Sequence, residues 1–311
     1  KKNPPYKKHK SDVSTCCVTA DNNPKKSKVE TVDSVQPNIT TKMLRHITAI
    51  VSGGASGLGA ATVKHIVSNG GKVIVADLEH QLDSFEVLRK DIDDGVDSLE
   101  RIQFCKTDVI SENQVTCALD MAVTAYGEQV NAAVNCAGVA IARKTLSMSK
   151  DTGATRLHSL DEFEKTMNIN VVGTFNVARL AAQRISSRDL MENGTRGIII
   201  NTASIAAYDG QVGQVAYSAS KGAIVGMTLP LARDLAPYGI RVVTIAPGLF
   251  KTPLLAGLPE KVQEELGSSV PCPSRLGQPA EFGMLVGSIL TNPMINGETI
   301  RLDGALRMPP S

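Results

Sequence analysis

The sequence contains no run of about eighteen apolar residues, so no segment is long enough to cross a bilayer as a helix. Its six cysteines (Cys16, Cys17, Cys105, Cys117, Cys136 and Cys272) form no Cys-x-x-Cys pair, and its five histidines stand at irregular spacings. That excludes the common zinc frameworks and leaves free thiols in a reducing compartment as the expectation. Beyond residue 44 there is neither an internal repeat nor a Gly/Pro-rich linker, which predicts a single domain over 44–311. Arginine is missing before Arg45. The opening segment therefore departs from the Arg-rich, acid-poor composition of a mitochondrial presequence.

Residues 1–43 are rich in Lys, Asn, Pro, Ser and Thr without a sustained apolar period. Such a segment cannot offset its ordering entropy by burial, so it is expected to be a disordered N-terminal extension. The chain starts without methionine and Met43 precedes the first apolar run directly. Residues 1–42 are accordingly expected to be an upstream extension or a gene-model artefact. This extension carries nine lysines against Asp12, Asp21, Glu30 and Asp33, so the net charge of +2 conceals a slightly acidic body. An acidic body argues against nucleic-acid binding as the main activity.

What is present is a steady alternation. With 42% hydrophobic residues, the chain can bury a sizeable core. Short apolar runs near 47–52, 72–76, 101–105, 130–135, 197–202, 240–246 and 298–302 read as strands. Amphipathic stretches near 57–69, 112–126, 160–186, 216–236 and 279–291 read as helices. The pattern predicts an α/β fold: a doubly wound, Rossmann-type parallel sheet of seven strands with helices on both faces. Pro230 falls inside the 216–236 helix, where it removes one backbone bond and is expected to bend the axis.

The first strand runs into Ser52-Gly53-Gly54-Ala55-Ser56-Gly57-Leu58-Gly59 and then into an amphipathic helix. Glycines permit a tight turn, close approach of phosphate to backbone and close packing of helix on strand. The helix N-terminus offers unpaired N–H groups and a positive dipole end to a pyrophosphate. A merely flexible loop is the competing reading, but the strand before and helix after supply the context of a dinucleotide site. Asp77 ends the second strand, eighteen residues beyond Gly59, where a carboxylate accepts from both adenosine ribose hydroxyls and repels a 2′-phosphate. No Arg or Lys stands at 52–60 or 77–80, so the cofactor expected is NAD rather than NADP. The alternative for Asp77 is a strand-end capping acid. Two further strand ends, Thr107-Asp108-Val109 and Asn135-Cys136-Ala137-Gly138, fall at the same edge of the sheet. Asp108 suits the adenine amino group and Val109 the ring face, with an N-cap of the next helix as the other reading of Asp108.

Tyr217 and Lys221 are four residues apart in a helical stretch and project from one face, with Ser204 arriving from the end of the preceding strand. A tyrosine acting as a base near neutral pH needs its pKa lowered by about 2 to 3 units. The Lys221 ammonium and a positive nicotinamide ring would jointly supply that. Ser204 would hold the substrate oxygen, Tyr217 would exchange the proton, and Asn170 would hold a water linking Lys221 to solvent. A solvated helix face is the competing reading for the Tyr-x-x-x-Lys pair taken alone.

Taken together, the glycine turn, Asn-x-Ala-Gly, Asn170, Ser204 and Tyr217-x-x-x-Lys221 resemble the marks of the short-chain dehydrogenase/reductase family over about residues 44–310. The resemblance narrows in Ile200-Asn201-Thr202-Ala203-Ser204, Asp209-Gly210-Gln211-Val212-Gly213-Gln214, Ile245-Ala246-Pro247-Gly248-Leu249-Phe250 and Arg301-Leu302-Asp303-Gly304-Ala305. Those stretches are similar to a mitochondrial, NAD-dependent, homotetrameric branch that oxidises short and branched 3-hydroxyacyl-CoA esters and some hydroxysteroids. The resemblance implies that Ser56, Leu58, Asp77, Asp108, Val109, Cys136, Tyr217, Lys221 and Phe250 touch NAD and that Ser204 touches substrate. It also implies a mitochondrial matrix location, against a cytoplasmic one on leader composition, and a tRNA methyltransferase partner for a scaffold role in tRNA processing. A reductase of free ketones or steroids is the other enzymatic reading. Residues 141–160 resemble an insertion of the same branch, with Arg143, Lys144 and Lys150 placed to meet acyl-CoA phosphates or simply forming a solvated loop. Ser52 stands where the family has threonine, and Cys136 where the wider family has asparagine.

Overall fold

The inner strands are unbroken apolar runs because both of their faces are covered, and that coverage organises the protein. The computed structural model describes residues 43–92 and 99–310, all within one unit, Thr41–Ser311. The expected disordered extension lies outside the described residues except for Met43. In chain order the elements are β1 (Thr48–Ser52), α1 (Gly57–Ser68), β2 (Lys72–Asp77), α2 (Leu82–Ile92), β3 (Ile102–Lys106), α3 (Glu112–Tyr126) and β4 (Ala132–Asn135). A hairpin of β5 (Leu146–Met148) and β6 (Thr155–Leu157) follows, then α4 (Leu160–Met167), a π-helical turn (Asn168–Gly173), α5 (Thr174–Ser186) and β7 (Gly197–Thr202). The rest is α6 (Val215–Leu235), β8 (Ile240–Pro247), α7 (Pro253–Ala256), α8 (Glu260–Ser268), α9 (Pro279–Thr291) and β9 (Thr299–Leu302).

Seven strands form one parallel sheet in the order β3-β2-β1-β4-β7-β8-β9, and β5 and β6 form a separate antiparallel pair. Alternate residues of the inner strands serve opposite faces. Val51, Val75, Val134, Ile200 and Ile245 pack with Ile66 of α1 and Phe282 and Val286 of α9. Ile50, Ile74, Ala133, Ile199 and Val242 pack with Leu119 of α3 and Val177, Ala181 and Ile185 of α5. Each fully buried Val, Leu or Ile contributes about 1.5–3 kcal/mol, so neither face can be exposed without losing the sheet. The first three strands wind outward from β1, and β4 starts again on its other side. That reversal opens a crevice beyond the carboxyl ends of β1 and β4.

The structure departs from sequence expectation in several places, among them the short helices α7 and α8, which follow β8 and were not expected. The helix expected over 160–186 is broken by the π-helical turn Asn168–Gly173, whose extra residue turns Asn170 inward. The helix α2 was not anticipated, although Phe85, Leu88 and Ile92 carry its buried face at i, i+3 and i+7. The hairpin also was not, because its side chains are largely exposed and leave no periodic apolar trace. The 216–236 helix is present as α6, continuous through Pro230.

Candidate active site

The crevice holds a cavity of about 950 Å³ lined at one end by the glycine turn and Asp77 and at the other by Tyr217 and Lys221. Its first end is built by steric economy. Gly53 has φ +65°, and a Cβ there would sit 2.6 Å from the Ala137 nitrogen. At Gly59 a Cβ would meet the Gly53 carbonyl oxygen at 2.0 Å, so only hydrogen lets α1 begin so close to β1. Ser56 is the N-cap of α1, yet its side chain makes no cap hydrogen bond and no acid occupies the first turn. The first N–H groups of α1 are thus not capped by a side chain, which suits a bound anion. Leu58 and Gly57 line the same cavity.

Asp77 is held rather than loose: one carboxylate oxygen accepts from the Ala55 N–H (3.0 Å) and the other from its neighbour Leu78 (2.8 Å). The turn and the acid therefore come as one preassembled piece. Asp108 and Val109 line the cavity beside it. The helix-capping reading of Asp108 does not hold, since the N-cap of α3 is Ser111, whose side chain accepts from Gln114 N. Asp108 instead accepts from Ile110 N (3.2 Å). Val109 is buried, its carbonyl takes the Asn176 amide (2.8 Å), and Gly173 packs against its side chain.

At the other end Lys221 is 6% exposed, donates to the Thr202 carbonyl oxygen (2.8 Å) and lies 5.8 Å from the Tyr217 ring centre. Burial lowers its pKa to about 8, with the Cys136 thiol acting weakly the other way. Burial raises the Tyr217 phenol, and its hydrogen bond with Ser204 draws it partly back. The lowered tyrosine expected from sequence is therefore not a property of the protein alone, because desolvation of the phenolate outweighs its neighbours. Ser204 is 9% exposed and also accepts from Ala206 N (3.1 Å). Cys136 lines the cavity, receives the Thr202 hydroxyl (3.6 Å) and has its thiol pushed by burial up to about 11. An inert, neutral thiol is the result.

Asn170 sits fully buried behind this end. Its amide donates to the Val139 carbonyl (2.9 Å) and Ser220 Oγ (3.0 Å), and its oxygen accepts from Val139 N (2.8 Å). Its side chain is thereby committed to joining the β4 exit to α6. Phe250 is buried in the core with its ring against Gly277, outside the cavity wall. The wall also includes Thr202, Pro247, Thr252 and Pro253. None of these four is among the residues expected from sequence, though Thr252 and Pro253 follow the end of β8 much as Asp108 and Val109 follow the end of β3.

Among the described residues no cluster of His, Cys, Asp or Glu suits a metal ion, and no helix is long and apolar enough to cross a membrane. Residues 47–263 match the family described as short chain dehydrogenase. The human protein named 3-hydroxyacyl-CoA dehydrogenase type-2 is 51% identical over 269 residues, covering 86% of this chain and 98% of the human one. Its namesake in Drosophila melanogaster is 49% identical over 268 residues, covering 86% of this chain and all of the fly protein. A crystal structure of the 3-hydroxyacyl-CoA dehydrogenase type-2 from Mycobacterium avium superposes with a TM-score of 0.77 at 39% identity, covering 88% of this chain and 100% of that one. With its parallel sheet, its crevice and these relatives, this chain belongs to the short-chain dehydrogenase family and is an oxidoreductase.

Proposed function

We propose that this protein oxidises the 3-hydroxyl of a short or branched 3-hydroxyacyl-CoA thioester with NAD. The single observation behind this reading is one cavity with the glycine turn and Asp77 at one end and Tyr217 and Lys221 at the other. The relatives at about half identity, which carry the name 3-hydroxyacyl-CoA dehydrogenase type-2, supply the substrate class.

The residues present fit NAD. Gly53, Gly57 and Gly59, the open first turn of α1, Ser56 and Leu58 would hold the pyrophosphate. Asp77 would hold the adenosine ribose, Asp108 and Val109 the adenine, and Cys136, Tyr217 and Lys221 the nicotinamide half; Phe250, outside the cavity wall, would support this end only from the core behind it. Bound there, NAD supplies a hydride acceptor and a positive ring. Ser204 holds the substrate oxygen. With the positive ring and the Lys221 ammonium beside it, Tyr217 would give up its own proton toward solvent and, as phenolate, accept the hydroxyl proton. The Asn170 main chain holds a water on the path from Lys221 to solvent.

Arg143 and Lys144, with Arg156, line a smaller cavity of about 190 Å³ at the hairpin. Together with the exposed Lys150 they favour the phosphates of coenzyme A. Val172, Phe175, Val215 and Leu229 remain exposed, apolar surface that a second copy in a homotetramer would cover. The mitochondrial matrix is the compartment that goes with this reading.

The test is NADH formation by the purified full chain with 3-hydroxybutyryl-CoA, run beside Tyr217→Phe. The expected result is turnover by the wild type and a loss of roughly a hundredfold or more in kcat for the variant, with NAD affinity within severalfold. Wild-type turnover on neither this thioester nor its branched 2-methyl analogue would end the proposal, and near-normal turnover by Tyr217→Phe would remove the tyrosine from its role.

A further inference from the structure

The segment 208–214 joins the strand end bearing Ser204 to the helix bearing Tyr217, and sequence-distant partners hold it down. Arg143 N donates to the Gly213 carbonyl (2.8 Å), Val212 N donates to the Pro310 carbonyl (3.0 Å), and Arg301 pairs with Asp209 (2.6 Å). The third is the hub. The same Arg301 guanidinium reaches Asp303 (2.7 Å) and the Leu306 carbonyl (2.9 Å), and it lies 5.3 Å from the Tyr208 ring centre. It thus clamps the C-terminal tail and the segment in one fork. A planar guanidinium does this where an ammonium cannot, because its donors point in fixed, divergent directions.

Two contacts carry the clamp to the reacting side chains. A Cβ on Gly210 would meet Ser218 Oγ at 2.5 Å, so the segment presses on the residue next to Tyr217. Leu306 is 2% exposed and packs in one cluster with Ile205, the residue after Ser204. Arg301 therefore bears on both members of the Ser204–Tyr217 pair without lining the cavity.

We infer that Arg301, through Asp209 and the tail, is a positioning residue that fixes the Ser204–Tyr217 pair for the hydroxy substrate. The inference rests on the dehydrogenase reading above for its kinetic arm but not for its structural arm. The experiment compares Arg301→Lys, Arg301→Ala and Asp209→Asn with the wild type in two measurements. In the first, kcat/KM for 3-hydroxybutyryl-CoA is expected to fall roughly tenfold or more, since displacements well under 1 Å suffice for that. The NAD dissociation constant should stay within about twofold, because the glycine turn and Asp77 lie on other elements. A merely structural anchor would lower both together or neither.

In the second, amide hydrogen exchange is followed by peptide in the ligand-free protein. Peptides covering 205–218 are expected to exchange about tenfold faster in the variants while peptides of β1 and β4 keep wild-type rates. Arg301→Lys retains charge and bulk but not the fork, so it tests the geometry if Arg301→Ala folds poorly. Unchanged exchange over 205–218 in Arg301→Lys and Asp209→Asn overturns the inference, as does equal loss of NAD affinity and substrate turnover. If the wild type turns over no thioester, the proposed function fails while the exchange measurement still decides this one.

Discussion

At the scale of single residues, the candidate site is costly to fold. Lys221 is an ammonium in an almost closed environment, with its pKa pulled by burial from 10.5 to about 8. At about 1.4 kcal/mol per unit, holding that charge costs on the order of 3 kcal/mol, offset partly by the hydrogen bond to Thr202. Below pH 8 the lysine is charged in both folded and unfolded chains and the folded protein bears the whole cost. Between 8 and 10.5 only the unfolded chain holds the extra proton, so the cost fades as pH rises, and above 10.5 it is gone. Lys221→Met is therefore expected to be more stable than the wild type at pH 7 by about 1 kcal/mol or more, with a smaller gain at pH 9.5. Urea unfolding at the two pH values measures this. A variant less stable at pH 7, or a gain independent of pH, contradicts the burial argument.

At the scale of elements, helices and strands act by where they start and stop. The helix α1 starts against the Gly53 carbonyl, 2.0 Å from where a Gly59 Cβ would stand, and the obstacle is backbone that cannot rotate away. Gly59→Ala is expected to push α1 outward and weaken NAD binding by roughly tenfold or more, since the proposed dinucleotide site depends on close approach of helix and turn. Gly226 in α6 has nothing within 4 Å of its would-be Cβ. Gly226→Ala should leave binding alone and add about 0.5–1 kcal/mol of stability from helix propensity. Calorimetric NAD titration of both proteins separates the cases, and equal affinity for Gly59→Ala and wild type sinks the packing claim. The π-helical turn works similarly, spending one extra residue to aim Asn170 at Val139 and Ser220.

At the scale of the whole molecule, the sheet converts sequence-distant strand ends into one cavity, so cofactor choice becomes a property of global stability. If Asp77 marks the adenosine end as proposed, NAD at about a hundred times its dissociation constant is expected to add about 2.7 kcal/mol to the folded state. That should raise the melting temperature by roughly 5 °C or more, whereas NADP at the same concentration should shift it little because the carboxylate repels a 2′-phosphate. A thermal scan showing equal shifts would dismiss Asp77 as the selector. Seven strands, the glycine turn, Asp77 and the Tyr217–Lys221 spacing were legible in the sequence. Each depends on local chemistry: apolar runs needing two covers, a turn only glycine can make, and residues four apart sharing a helix face. The interruption of the 160–186 helix, the commitment of the Asn170 amide, the burial of Phe250 and the upward pull on Tyr217 were not legible. Nor was the grip of Arg301 on Asp209, ninety-two positions away. Those features arise only when folding removes water and brings distant segments together, because desolvation and long-range contact have no signature in neighbouring residues.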